Sequence, residues 1–398
     1  MHPRRPIQRL AWAVAASSIT VWAVAAAATA GTPAAAFAAA GVAPCAAWTG
    51  GDQPPDPGGT GHNDTLSGVA VLSPCNAWAV GSFDPEQTLI VHWDGASWTQ
   101  VPSPDPGIAT TLSGVSAVSA SDVWAVGQYY NAGAFRTLIV HWDGTSWTQM
   151  TSPNAPGSTQ DNLVAVRASS ATNAWAVGSY NNSSNVSQTL ILHWNGTTWT
   201  QVASPDPAQA SSLTSVAATS ASDAWAVGFY YTGTADQSMI LHWDGASWTQ
   251  VTSPSPGAPY TSLSGVRATS PSNAWAVGSY TSGTPDRTLI LHWNGSAWKQ
   301  VTTPNPGGAA HDNDLSSIAA TSANDAWAAG AYDTGTGLRT VALHWDGSAW
   351  AQATTPDLGS STIDTGLNAV GASSAGNVWA VGSYSDGTVS QTLAIHCC

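Results

Sequence analysis

The chain has 398 residues, a formal net charge of −14 and only 8% charged residues. So acidic a surface repels phosphate backbones and anionic lipid, which argues against nucleic acid as a partner. Glu86 and Lys299 are the one glutamate and the one lysine beside abundant Gly, Ser, Thr and Ala, which argues against a helical fold and for an all-β chain rich in turns.

The N-terminus reads as an export signal over residues 1–30. Arg4, Arg5 and Arg9 precede an apolar stretch from Leu10 to Ala28. Small residues at Ala28 and Ala30 offer a cleavage site, and Ala36 and Ala38 a second. A retained anchor is the alternative, because the stretch is nearly long enough to span a bilayer. Residues 31–42 are a flexible Ala-rich segment, and 43–398 are the folded domain. The expected location is extracytoplasmic, secreted or at the cell surface, with no membrane contact once the signal is cleaved. The mature chain then keeps six basic residues against 23 acidic ones.

From there Trp-Ala-Val-Gly recurs, starting at Trp78, Trp124, Trp175, Trp225, Trp275, Trp327 and Trp379, with Ala329 in place of Val in the sixth copy. Spacings of 46 to 52 residues mark supersecondary units that cannot bury their own apolar faces alone. The unit from Leu112 to Gly157 shows the pattern. Leu112 to Val118 alternates small and apolar residues, a strand of little bulk suited to a crowded axis. Asp122 to Gly127 is a second strand. A polar loop leads to Thr137–Trp142, an unbroken apolar run that fits a strand buried between neighbours. Asp143-Gly144 is a hairpin turn, and Ser146 to Met150 a fourth strand. Pro153 and Pro156 carry the chain onward. Four antiparallel strands per repeat, seven times over, predict a seven-bladed β-propeller.

The tryptophans support that count. Two lie in the signal, seven open second strands, six close third strands and seven sit in fourth strands, which accounts for all 22. The seventh third-strand Trp is replaced by Cys397, and the sequence given stops at Cys398 with no fourth strand after it. The missing strand is found at the other end, around Trp48. Residues near 43–53 are therefore predicted to complete the last blade and remove open sheet edges. In that alignment Cys397 stands for the Trp before the hairpin turn, Cys398 for the turn Asp and Cys45 for the turn Gly. A disulfide from Cys45 to Cys397 or Cys398 is expected to seal the ring, with Cys75 open to pairing with the remaining cysteine.

The Asp/Asn-Gly-x-x-Trp turns resemble the Asp box, with the Asp one residue nearer the Trp and His in place of Ser. The repeats as a whole are similar to those of bacterial photosystem-assembly-factor-like propellers and to tectonin repeats. That resemblance covers nearly all of 43–398 and implies the propeller fold. It does not carry function.

Several repeated residues are candidates for chemistry. His92, His141, His193, His242, His292, His344 and His396 recur once per blade, too dispersed to share an ion, and read as hydrogen-bonded structural residues. The Asp or Asn opening each second strand follows a Ser three residues earlier and reads as a capped turn. Acidic loops at His62–Asp64 and His311–Asp314 have oxygen ligands for calcium but no recognised spacing. The strongest binding candidates flank the loop between second and third strands. An aromatic recurs at Phe83, Tyr129, Tyr180, Tyr230, Tyr280, Tyr332 and Tyr384. A planar polar residue recurs at Gln87, Arg136, Gln188, Gln237, Arg287, Arg339 and Gln391. Aromatic faces with hydrogen-bonding neighbours suit sugars; the plainer alternative is a cross-strand pair that steadies the hairpin.

An enzyme is hard to assemble from this inventory. Sialidases need an arginine triad and a catalytic glutamate, but the five arginines after the signal, Arg136, Arg167, Arg267, Arg287 and Arg339, fall at repeat positions and Glu86 lies in the shortest loop; no facing carboxylate pair departs from the repeat, and no nucleophile elbow appears. The sequence therefore predicts an exported, non-catalytic binding or scaffold module of lectin-like type, monomeric, needing neither cofactor nor metal, with a glycan or extracellular protein as partner. The rival reading is an extracellular hydrolase or lyase with its site over the central channel.

Overall fold

A computed structural model describes residues 47–50, 53–59, 61–207, 209–281, 283, 285–356, 364–385 and 387–397. The proposed signal, the Ala-rich segment, Cys45 and Cys398 lie outside the described residues. Seven four-stranded antiparallel sheets follow one another. Blade one comprises Asp64–Ser73, Asn76–Phe83, Gln87–Trp93 and Trp98–Gln100. Blades two to six repeat it through residues 108–149, 161–201, 210–250, 260–301 and 313–353. Blade seven takes Thr365–Ser374, Asn377–Ser385 and Ser390–Cys397 from one end of the chain and Trp48–Thr49 from the other. Trp48 pairs with Cys397 and Thr49 with His396, as Trp98 pairs with Trp93 in blade one.

The Trp-Ala-Val-Gly motif owes its glycine to the inner strand. Each inner strand carries a bulge, seen in blade one as a register shift between Leu66 and Gly68 opposite Gly81 and Val80. A Cβ on Gly81 would lie 1.9 Å from the Thr65 carbonyl oxygen, and the same overlap recurs at Gly127, Gly178, Gly228, Gly278, Gly330 and Gly382. Only glycine lets the second strand approach a bulged neighbour so closely.

Seven hydrophobic clusters lie at the seven blade interfaces, so each core is shared between two sheets. One joins Trp175, Val177 and Ile191 of blade three to Leu213, Ala224 and Leu241 of blade four. Another joins Trp379 and Val381 of blade seven to Leu66, Ala79 and Leu89 of blade one, which makes the ring continuous. Tryptophans lock these interfaces in a fixed direction. Trp78 of blade one meets Trp142 and Trp147 of blade two at 5.1 and 5.4 Å. Trp379 of blade seven meets Trp93 and Trp98 of blade one at 4.9 and 5.0 Å. Trp327 of blade six meets Trp48 edge to face at 5.3 Å, because Cys397 occupies the other place. Such pairs contribute about 0.5–1.5 kcal/mol each beyond the area they bury.

Chain-end closure extends past the paired strand. The Gln53 amide donates to the Ala394 carbonyl and its oxygen accepts from the Ala394 N–H, so one side chain continues the ladder. Asp56 accepts from the Thr392 N–H at 2.7 Å, the role that Asp105 plays for Thr88 in blade one. Cys397 is fully buried and disulfide-bonded. Cys75 makes no pair: it is an exposed free thiol. Its Cβ lies against the turn glycine Gly95 of its own blade, so it belongs to blade one's local packing and not to the ring junction.

Candidate functional site

The seven repeated histidines are engaged in structure. Every one bonds through Nε2 to the Asp or Asn that opens its second strand, at 2.8 to 3.1 Å: His92 to Asn76, His141 to Asp122, His193 to Asn173, His242 to Asp223, His292 to Asn273, His344 to Asp325 and His396 to Asn377. Each imidazole also lies on its blade's second-strand indole, as His92 does on Trp78 at a centroid distance of 4.3 Å. Burial pushes the pKa of His92, His193 and His292 down. The turn caps are shared differently from expectation. The serine three residues earlier accepts from the backbone N–H of the turn, as Ser119 does from Ser121. The Asp or Asn instead faces the histidine and, in blades three to seven, a hydroxyl four residues back, as Asn173 does with Ser169.

The acidic loops are likewise closures of the chain. Buried Asp64 accepts from the Gly58 N–H, and burial raises its pKa. Asn313 accepts from the Gly307 N–H in the equivalent place. Among the described residues no group of three His, Cys, Asp or Glu side chains is placed to hold a metal ion.

Each aromatic of the second-to-third-strand loop pairs in register with its planar polar partner across the hairpin. The pairs are Phe83 with Gln87, Tyr129 with Arg136, Tyr180 with Gln188, Tyr230 with Gln237, Tyr280 with Arg287, Tyr332 with Arg339 and Tyr384 with Gln391. All seven aromatics are part-buried, and each packs against one of the seven interface clusters. Several polar partners bond locally. Gln188 and Gln237 donate to the carbonyls of Ser187 and Asp236. Arg136 donates to the Ser158 carbonyl and forms an ion pair with buried Asp161 at 3.3 Å. Burial raises the Asp161 pKa, against the opposing pull of the Ala155 N–H and Arg136.

The central channel holds features the repeat pattern concealed. A cavity of about 760 Å³ reaches from Asp84 and Glu86, in the loop of blade one, down among the inner strands. The bulge residues form one belt in it: Ser67, Ser113, Val164, Thr214, Ser264, Ser316 and Asn368. Below them runs an apolar ring of Val69, Val115, Val166, Val216, Val266, Ile318 and Val370. Asn368 ties blade seven to blade one by donating to the Leu66 carbonyl at 2.8 Å. Arg167 and Arg267 also line this space. A channel of this make-up offers hydroxyls and an amide over an apolar floor, the lining of a small-molecule site.

No protein-family model matches the chain, and no curated protein matches it. Solved structures do. The structure of YCF48 bound to D1 peptide shares 14% identity at a TM-score of 0.55, covering 88% of this chain and 96% of that one. PorZ, a bacterial surface component of the type-IX secretion system of Porphyromonas gingivalis, shares 12% identity at a TM-score of 0.51, covering 78% of this chain and 44% of that one. At such identities the likeness is one of fold.

Proposed function

We propose that this chain is an exported, non-catalytic binding propeller of lectin-like type, with carbohydrate as its ligand class. The observation that carries the reading is the sevenfold rim, where an aromatic and a planar polar side chain stand opposite each other in the same register in every blade. A part-exposed ring edge beside hydrogen-bonding groups matches the C–H faces and hydroxyls of a sugar, and repetition around a ring multiplies weak sites through avidity. The repeated histidines are held by structural partners in every blade, which supports a non-catalytic reading. A glycan array probed with the labelled protein, followed by analysis of the bound glycans for cleavage, tests the reading. Retention of intact glycans supports it; released product would favour a hydrolase or lyase.

The junction of the two chain ends belongs to the same proposal. With Cys75 free, the partner of Cys397 is Cys45 or Cys398. A bond between adjacent cysteines would hold their Cα atoms about 3.8 Å apart across a trans peptide, below the usual range of about 4.4–6.8 Å. Cys45, which aligns with the turn glycine two positions from Cys397, is the better partner for sealing an exported ring.

A further inference from the structure

Arg167 and Arg267 occupy equivalent positions, each opposite the second-strand tryptophan of its blade, Trp175 and Trp275. Other blades carry small residues there, among them Ala217, between the two, and Gly371. The two guanidiniums therefore stand at one level of the channel, in blades three and five. Neither makes a hydrogen bond or ion pair among the described residues, and both Nε atoms are buried without a partner. Burial pulls the pKa of Arg167 well down, and the charge of Arg267 pulls it further. Arg267 is itself pushed down to about 10 by burial. Both side chains are part-exposed to the channel, and two like charges held unneutralised in its wall repel each other, where charges drawn out of bulk water are ordinarily paired.

We propose that the central channel is a binding site for a small carboxylate-bearing ligand, whose oxygens accept from Arg167 and Arg267 while its body lies against the apolar ring and the bulge hydroxyls. The site is separate from the sugar-binding rim and does not depend on it. An oxyanion matches the planar fork of arginine donors. The remaining electrostatics select among oxyanions. Asp84, Glu86 and Asp314 line the same cavity, and the chain carries a net charge of −14. A dianion such as sulfate meets that field twice over, so a singly charged carboxylate is favoured. An acidic sugar and the end of a peptide chain both supply such a carboxylate, and the chemistry at the arginines is the same.

Isothermal titration separates these sources. Sodium glucuronate is compared with glucose, N-acetylglycine with its amide, and sodium sulfate serves as the dianion. One or both carboxylates should bind about tenfold or more tightly than their uncharged counterparts, and more tightly than sulfate. Arg167→Met and Arg267→Met should each weaken the carboxylate about tenfold, the loss expected for a charged hydrogen-bond donor. In the absence of ligand the double variant should melt no lower than the parent, because two mutually repelling charges have been removed; a variant that melts lower is replaced by R167K/R267K, which keeps charge but loses the fork and should bind more weakly. Equal affinity for charged and uncharged probes, preference for sulfate, or carboxylate affinity unchanged in the double variant would overturn the proposal. Undiminished glycan retention in rim variants with carboxylate binding intact would count against the rim alone.

Discussion

The indole of Trp48 meets that of Trp327 edge to face at 5.3 Å, with one residue near the start of the described chain and the other in its sixth blade. The same contact joins Trp78 to Trp147 at 5.4 Å between blades one and two, where the sequence runs without a break. The seam of the ring thus reproduces an ordinary blade interface.

That equivalence predicts a cost. Trp48 is 7% exposed and Trp98 6%. Trp48→Ala should destabilise the protein by about 3–5 kcal/mol, the range for truncating a buried tryptophan. Trp98→Ala should cost a similar amount. Denaturant unfolding followed by circular dichroism checks both; a change below about 0.5 kcal/mol at Trp48, the level of an ordinary surface substitution, would separate the seam from the other interfaces.

Acid should weaken the ring through its histidines. In the folded state His92, His193 and His292 have pKa values below the ordinary 6.5, because burial disfavours the charged ring. The unfolded chain therefore binds more protons in this region. The stability they contribute is present above pH 6.5 and is lost as the pH falls below it toward their lower folded values. Melting temperatures between pH 7.5 and 5 should decline, and replacing the three histidines by glutamine should flatten that decline. An identical slope in the variant would assign the acid sensitivity elsewhere.

The thiols should separate cleanly. Cys75 is exposed and free, whereas Cys397 is buried and bonded. A maleimide applied to the native protein should label Cys75 alone. Peptide mapping without reductant should return Cys397 joined to Cys45, and recovery of Cys45 as a free thiol would refute that pairing.

Rim substitutions discriminate the binding reading from simple hairpin support. Tyr230 packs on the interface between blades three and four and pairs with Gln237. Gln237→Ala removes hydrogen-bonding capacity at the rim while leaving the aromatic in place. It should shift stability by less than about 1 kcal/mol yet lower glycan retention when made together with Gln188→Ala and Gln391→Ala. Undiminished retention on the array would confine these residues to supporting their hairpins.

Much of the architecture was legible because the tryptophans occur at fixed steps within each repeat. The substitution of Cys397 for a third-strand indole, with Trp48 at the other end, marked the closure. What sequence could not show was which neighbour each indole enters, since that depends on how the sheets stack. The inner-strand bulge was also hidden: nothing in Leu66-Ser67-Gly68 says that Ser67 drops out of pairing and faces the channel. The aromatics and their polar partners were recognised as pairs, but their packing against the interface clusters is a tertiary fact. Arg167 and Arg267 looked like ordinary repeat positions. Only the closing of the ring turns two inner-strand substitutions into neighbours across one intervening blade.

Hydrogen exchange in the last blade tests closure by the N-terminal strand most directly. The amides of residues 390–397 should exchange slowly in the full chain, because Trp48 and Thr49 cover that edge and Gln53 and Asp56 bond along it. In a chain lacking residues 1–57 the same amides should exchange roughly tenfold faster or more, while those of 138–142 in blade two stay protected. Equal protection of 390–397 in both chains would contradict a ring closed by its own beginning.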